Sequence, residues 1–472
     1  MTGDPALLSL TDLAAAIAAR RTTARAAAEA CLARIEALDG QLASFVAVDR
    51  EGALRAADAA DAAVARGDRL GPLHGVPLAH KDMYYREGDV TACGSRIRAA
   101  FRPPVTATVL QRLDAAGAIT LGRLAMVEFA MWPHGYNENL RQCRNPWQLG
   151  HVPCGSSSGS GVAVAARLVA GSLGSDTGGS VRCPASANGV VGLLPTWSRV
   201  SRHGVMPMSP SLDSVGPLAR TAADCARLMG VIAGPDPLDA TSSRQDVPDY
   251  EAGLGRPLGG VRVGIPDGYF GDGVAADVGD RVAAATETLR GLGATIVTVA
   301  TPEVIQAAAD LHPLVMKAEG AANHHLWMRD APDGYSREVR QRLQAGYFIP
   351  ASDYVQALKL RGQLLQAFAD AVFAKADVLI TPVLPRAAPT IAETTTADGA
   401  SYLAMVVALT RNTKPINFLG LPAISVPCGF TDAGLPTSFQ LIGRPFSEAL
   451  LLRLAHGYQT RTQWHQRVPA VA

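Results

Sequence analysis

The stretch from Gly155 to Pro184, G-S-S-S-G-S-G-V-A-V-A-A-R-L-V-A-G-S-L-G-S-D-T-G-G-S-V-R-C-P, constrains this chain more than any other segment. Two Gly/Ser clusters flank one apolar run that reads as a helix. Glycine permits positive φ and close backbone approach, so such clusters suggest backbone shaped around a small charged group. A working site is therefore expected here.

The rest of the chain sets bounds on that site. At 472 residues, with 48% hydrophobic and 18% charged residues, there is ample apolar material for a large soluble core. Basic and acidic residues number 43 and 42, so no global field draws nucleic acid or anionic lipid. The seven cysteines are scattered, with no C-x-x-C pair and no zinc spacing, which reads as reduced thiols in the cytoplasm and no metal. No secretory signal is evident at the N-terminus, and no apolar run approaches the ~20 residues that span a bilayer.

Texture divides the chain into a helical opening over residues 1–66 and a larger α/β part over 67–472. Leu13, Ile17, Leu32, Ile35 and Leu38 recur at helical spacing, with Thr11 and Thr22 or Thr23 placed as N-caps. Between Leu70 and Pro217 loops rich in Gly, Pro and Ser predominate. Short apolar runs at 118–121, 261–265, 294–299, 377–382 and 422–427 read as strands, and Thr394 to Thr396 begins an exposed loop.

Three residues carry a chemical argument. Lys81 ends the apolar run G-V-P-L-A-H-K-D; a lysine at the end of a buried strand is desolvated, which lowers its pKa and makes the neutral amine a base. Ser180 follows D-T-G-G, where backbone N–H groups converge as an oxyanion hole needs, each donor worth ~3 kcal/mol in acyl transfer. Ser156 opens the first cluster. The same cluster formally fits G-x-S-x-G with Ser157 as nucleophile, but Gly150 to Cys154 make a poor preceding strand. His80, His151 and His203 read as packing or loop hydrogen bonding.

On these residues the chain resembles the amidase signature family. The glycines, Ser156, Asp176, Gly178, Ser180, Arg182 and Pro184 fall in register with its signature, the lysine block lies upstream, and R-N-P-W (144–147), D-S-V-G-P-L-A-R (213–220) and N-F-L-G-L-P-A-I-S-V-P (417–427) match later landmarks. Cys154 departs from the usual glycine and is expected to narrow the site. The resemblance implies one large α/β domain, a central mixed β-sheet sandwiched by α-helices, with the helical N-terminal part packed on it.

It also implies a Ser-cisSer-Lys triad: Ser180 as nucleophile, Ser156 as bridge after a cis peptide, and Lys81 as base. The oxyanion hole maps onto the backbone of Thr177, Gly178, Gly179 and Ser180, supported by Ser157, Asp176 and Arg182. Met131 and Trp132 are candidates to line the acyl pocket. No cofactor or metal is implied.

Two functions compete within the family. One is a stand-alone serine hydrolase that cleaves a small amide, aryl or aliphatic, or a carbamate, with a small-molecule substrate, no nucleic-acid or membrane partner, and a homodimer as its candidate assembly. The other is the glutamine-hydrolysing component of a tRNA-dependent amidotransferase. That component usually has asparagine after Lys-Asp, where Met83 stands, and Asp-Glu-Phe-Ala-Met-Gly where this chain reads Val127 to Trp132. These departures favour the stand-alone enzyme.

Overall fold

The computed structural model describes residues 3–396 and 399–471. Its frame is an eleven-stranded mixed sheet in the order β1-β3-β2-β4-β6-β5-β10-β11-β9-β7-β8. The strands are β1 (Phe45–Val48), β2 (Pro77–Lys81), β3 (Ile119–Leu124), β4 (Gly171–Asp176), β5 (Val191–Leu194), β6 (Ser214–Ala219), β7 (Arg262–Pro266), β8 (Thr295–Val299), β9 (Val378–Pro382), β10 (Ala423–Phe430) and β11 (Pro436–Gly443). Helices pack along it, giving the expected α/β architecture. Among the described residues no helix is long and apolar enough to cross a membrane.

The runs read as strands from their apolar, proline-ended texture all lie in this sheet. Two segments differ from expectation. The first 66 residues hold the helices Leu10–Ala18, Ala24–Leu42 and Arg50–Arg66, but also β1, which pairs antiparallel with β3. The second Gly/Ser cluster begins not as a loop but as β4, every residue of which is buried. Its small side chains are demanded by packing: a Cβ on Gly174 would lie 2.6 Å from Ser157 Oγ and 2.9 Å from Leu218 Cδ1. A low-propensity strand survives because neighbours on both sides supply its hydrogen bonds.

Capping follows side-chain reach. Thr23 caps Ala24–Leu42, accepting from the Ala26 N–H. Ser9, not Thr11, caps the first helix, because Ser9 Oγ receives the Asp12 N–H. Thr11 is instead held by Asp224, to which both its N–H and its hydroxyl donate.

Topology positions the site. β3, β2 and β4 run parallel, so their C-terminal ends emerge at one sheet edge. The loops after Leu124, Lys81 and Asp176 must therefore meet, as at the crevices of other open parallel sheets. The helix Ser158–Ala165, buried at every position, then anchors the first serine cluster. It passes so close to the β3 loop that a Cβ on Gly159 would stand 2.4 Å from the Ser44 carbonyl oxygen and 2.6 Å from the Ala125 nitrogen.

Helix propensity favours alanine over glycine by roughly 0.5–1 kcal/mol. At Gly159 the sign reverses, because backbone atoms cannot yield: Gly159→Ala should cost on the order of 1–3 kcal/mol, seen as a lower thermal midpoint. An unchanged or higher midpoint would contradict the packing.

Candidate active site

Lys81 enters the site as the last residue of β2, a strand buried along its whole length. Its Nζ lies 2.6 Å from Ser156 Oγ and 2.8 Å from Ser175 Oγ. Burial pushes the ammonium down to about 7, against the opposing pull of Asp213 and Asp176. No carboxylate pairs with it directly among the described residues. Ser175 was not legible in the sequence as a partner of the lysine; it faces Lys81 because β4 lies beside β2 in parallel register.

The Gly155–Ser156 peptide is cis. The segment is tied to the β3 loop on both sides, since Gly155 N–H donates to the Pro133 carbonyl (2.7 Å) and Val127 N–H to the Ser156 carbonyl (3.2 Å). Ser157 does not touch Lys81. Its hydroxyl bridges the Ser175 backbone, accepting the N–H and reaching the carbonyl at 3.3 Å each, and so acts on the lysine only through Ser175. The Ser157 N–H joins the two serine clusters by donating to the Ser180 carbonyl at 3.3 Å.

Ser180 lies on the wall of a cavity of about 670 Å³, beside Thr177 and Gly178. That volume is ample for a small substrate. Among the described residues its hydroxyl makes no hydrogen bond with Ser156, whose oxygen is engaged by Lys81. The loop around Ser180 is held by its carbonyls. The Thr177 carbonyl accepts from His312 Nε2 at 2.8 Å, that of Gly178 from Thr413 Oγ1 at 2.7 Å, and that of Gly179 from the Cys183 N–H at 2.7 Å. Asp213 accepts the Thr177 hydroxyl at 2.6 Å.

Among the described residues the N–H groups of Thr177, Gly178 and Ser180 have no protein acceptor. Gly179 differs: its N–H is donated to Asp176 Oδ1 at 2.6 Å. Three of the four expected oxyanion donors thus remain available. His312, which sequence reading missed, sits on the helix Val304–Asn323. Burial pushes its imidazole down to about 3, so it is neutral and able to donate to Thr177.

Beneath this loop lies a wholly buried ion pair, Asp176 with Arg182. Asp176 accepts Arg182 Nε (3.1 Å) and Nη2 (3.2 Å), the Gly179, Val181 and Arg182 N–H groups, and Asn417 Nδ2 (2.9 Å). The guanidinium is completed by Gln440, the Thr413 carbonyl and Asn417. Burial by itself raises the Asp176 carboxyl, but the Arg182 charge and these hydrogen bonds hold it below the usual range.

Met131 and Trp132 line the cavity. Cys154 does not. It is packed in a separate buried cluster with Cys183, Ala187 and Val383, because positive φ at this residue (56°) turns its side chain into that layer. Thr394 and Thr395, expected in an exposed loop, belong to the helix Ile391–Thr396 and line the cavity instead. His80 accepts the Leu173 N–H and His151 Nδ1 meets the Ala388 carbonyl, both structural contacts.

Comparison with known proteins places this geometry. A family model described as Amidase matches residues 26–452. A relative from Aromatoleum aromaticum, the A-type subunit of glutamyl-tRNA(Gln) amidotransferase, is 41% identical over 98% of this chain and 99% of its own length. The structure of the same amidotransferase component from Thermotoga maritima superposes with a TM-score of 0.80 at 32% identity, covering 95% of each chain. A chain of a vestigial protein complex bearing on the origins of an s-triazine catabolic enzyme gives 0.89 at 34% identity, covering 96% and 98%.

These relatives overturn the expectation of a stand-alone hydrolase of small amides or carbamates. They equally overturn the expected partners, a small molecule alone with no nucleic acid, since the relatives are subunits named for glutamyl-tRNA. The physical reason is that the serines, lysine and frame serve both functions. Met83 and the Val127 to Trp132 segment are local departures, outweighed by identity spread over the whole chain.

Asp176→Asn should leave the buried Arg182 charge without its counter-ion and cost on the order of 3–5 kcal/mol. Thermal or urea unfolding reads this, and a loss below about 1 kcal/mol would contradict the pairing described.

Proposed function

The chain belongs to the amidase family, enzymes acting on C–N bonds, and from that premise we propose that it is the glutamine-hydrolysing subunit of a tRNA-dependent amidotransferase. The observation that carries this reading is a buried lysine bonded to Ser156 beside the Ser180 cavity, in a chain 41% identical to such a subunit over 98% of its length. Partner subunits and a glutamyl-tRNA are the implied assembly.

In this reading Ser180 Oγ attacks the side-chain amide carbon of glutamine. Its proton passes to Ser156, whose own proton passes to neutral Lys81. The Ser156–Ser180 link closes when substrate is bound, as catalytic hydrogen bonds often do. The oxyanion that forms is met by the N–H groups of Thr177, Gly178 and Ser180. Collapse expels ammonia, which takes a proton back along the same relay and leaves a glutamyl ester on Ser180. Water, activated by the same serine–lysine pair, hydrolyses that ester to glutamate. Ammonia goes to the partner that amidates glutamyl-tRNA.

His312, Thr413 and Asp176 support the chemistry by holding the loop. By fixing the Thr177 and Gly178 carbonyls and the Gly179 N–H, they hold the loop in one shape while the N–H groups of Thr177, Gly178 and Ser180 keep no protein acceptor among the described residues. Such preorganisation matters because the donors need not reorient as charge develops.

Ammonia release from glutamine by the assembled complex should fall by at least about 10³-fold in Ser180→Ala. Retention of full activity would refute the assignment. The sign of the pH dependence follows from Lys81: it accepts a proton only when neutral, and its ammonium sits at about 7. The rate kcat/KM should therefore fall about tenfold per pH unit below 7 and level off above it. Ser175→Ala removes an acceptor of the charged form and should move this limb to lower pH. An acid limb near the ordinary lysine value of about 10 would contradict the desolvated lysine.

A further inference from the structure

Lys81 is bonded to two hydroxyls, and they serve different spaces. Ser156 serves Ser180 and its cavity. Ser175, whose Oγ accepts from Lys81 Nζ at 2.8 Å, lines a second cavity of about 390 Å³ that shares no lining residue with the first among the described residues. Across β4 and β6 Ser175 is paired with Val215, which lines the same cavity, and antiparallel partners present their side chains on one face. Ser175, Met206 and Asp213 are buried at its floor, whereas Pro210, Leu238 and Thr241 are exposed, so the cavity runs from the surface to the hydroxyl. The Ser175 oxygen receives the lysine, and its own proton meets no protein acceptor among the described residues. Lys81 also borders a groove with His80 and Tyr84, but among the described residues no hydrogen bond of its Nζ leads there.

The reaction leaves a proton to dispose of. Glutamine and water become glutamate, ammonia and one proton. The acid formed has an ordinary value of about 4.3 and the Lys81 amine sits at about 7, so the proton ends on the lysine. Lys81 is buried, and it serves as a base again only after losing that proton. Return through Ser156 delivers it to the cavity where ammonia is released, and ammonium is no nucleophile. The charges around Lys81 favour the other direction. Asp176 is paired with Arg182, and burial pushes the Cys93 thiol up to about 12, which keeps it neutral. Asp213 has no ion pair among the described residues; it accepts the Thr177 hydroxyl and the Met208 and Ser209 N–H groups at the floor of the second cavity. Nearer the surface Arg202 stands 3.8 Å from Asp239, beside His203. A carboxylate on the floor lowers the cost of bringing positive charge there.

We propose that Ser175 is the proton outlet of Lys81. The ammonium gives an N–H proton to Ser175 Oγ while the Ser175 O–H proton passes to a water or a small base in the second cavity, leaving a neutral amine and a hydronium ion or protonated base. The inference rests on the glutamine-hydrolysing reading and deepens it, by keeping the proton out of the cavity in which ammonia is released.

The test measures kcat and KM for glutamine with the assembled complex, at one pH on the plateau above 7 and constant ionic strength, as imidazole is added to a bulky buffer. Ser175→Ala should lose at least about tenfold in kcat with KM changed less than about twofold, and imidazole should restore at least about fivefold in a saturable way. Ser175→Thr, which keeps the hydroxyl, should hold most of the wild-type rate without imidazole, and the wild type should not respond to it. Circular dichroism and the thermal midpoint verify that the variants fold.

Full activity in Ser175→Ala, or a loss that imidazole leaves unchanged, would overturn the outlet, since a hydroxyl that only holds Lys81 in place gives no response to a proton acceptor. Glutamine turnover by the wild type with either result leaves the amidotransferase reading standing. If the wild-type complex releases no ammonia from glutamine, that reading falls, and the same comparison is made on p-nitrophenyl acetate with the full-length chain, the Ser180→Ala rate being subtracted at each imidazole concentration. An imidazole response of Ser175→Ala there leaves the outlet standing. No Ser180-dependent cleavage of either substrate removes both.

Discussion

The site depends on one buried ion pair. Asp176 ends β4 and Arg182 opens the helix Arg182–Asn188, so the carboxylate and guanidinium span the loop that carries Thr177, Gly178, Gly179 and Ser180. A pair of this kind contributes little net stability on its own, because desolvation offsets attraction. Its value is geometric. With Asn417, Gln440 and three backbone N–H groups completing the network, every strong donor and acceptor has one partner set, and the loop has one shape.

The same logic of burial explains the base. A lysine in water is protonated at neutral pH and useless for accepting a proton. At the end of β2, with the sheet on both sides and only hydroxyls within reach, the charged form is disfavoured and about 7 is attained. Ser156 and Ser175 hold the amine in place without neutralising it. The fold thus converts an ordinary side chain into a base by withholding water and a counter-ion. Asp176, close by, is treated oppositely: Arg182 keeps it charged, and its charge is spent on structure.

Much of this site was legible before any tertiary contact. Lys81, Ser156 and Ser180 stand out because each is a reactive type in a segment with an unusual backbone demand. Other parts left no local mark. Ser175 and His312 matter only through contacts with residues 94 and 135 positions away. Cys154 looked like a pocket residue by adjacency to Ser156, yet its left-handed backbone turns it into another layer. The choice between the two functions also exceeded local reading, because Met83 and Trp132 change single positions while the relatedness lies in the whole chain.

Local sequence settles the chemistry available and the strands that carry it, since patterns of burial, glycine and proline act over a few residues and are read directly. Which groups meet is settled only by the tertiary structure. The parallel order β3-β2-β4 brings three loops to one edge, and the packing of His312 and Lys414 against the Ser180 loop builds the cavity wall from distant segments. Burial sets protonation, and burial is a property of the assembled fold, so the base at Lys81 and the loop that carries Ser180 take their form only once the sheet has closed around them.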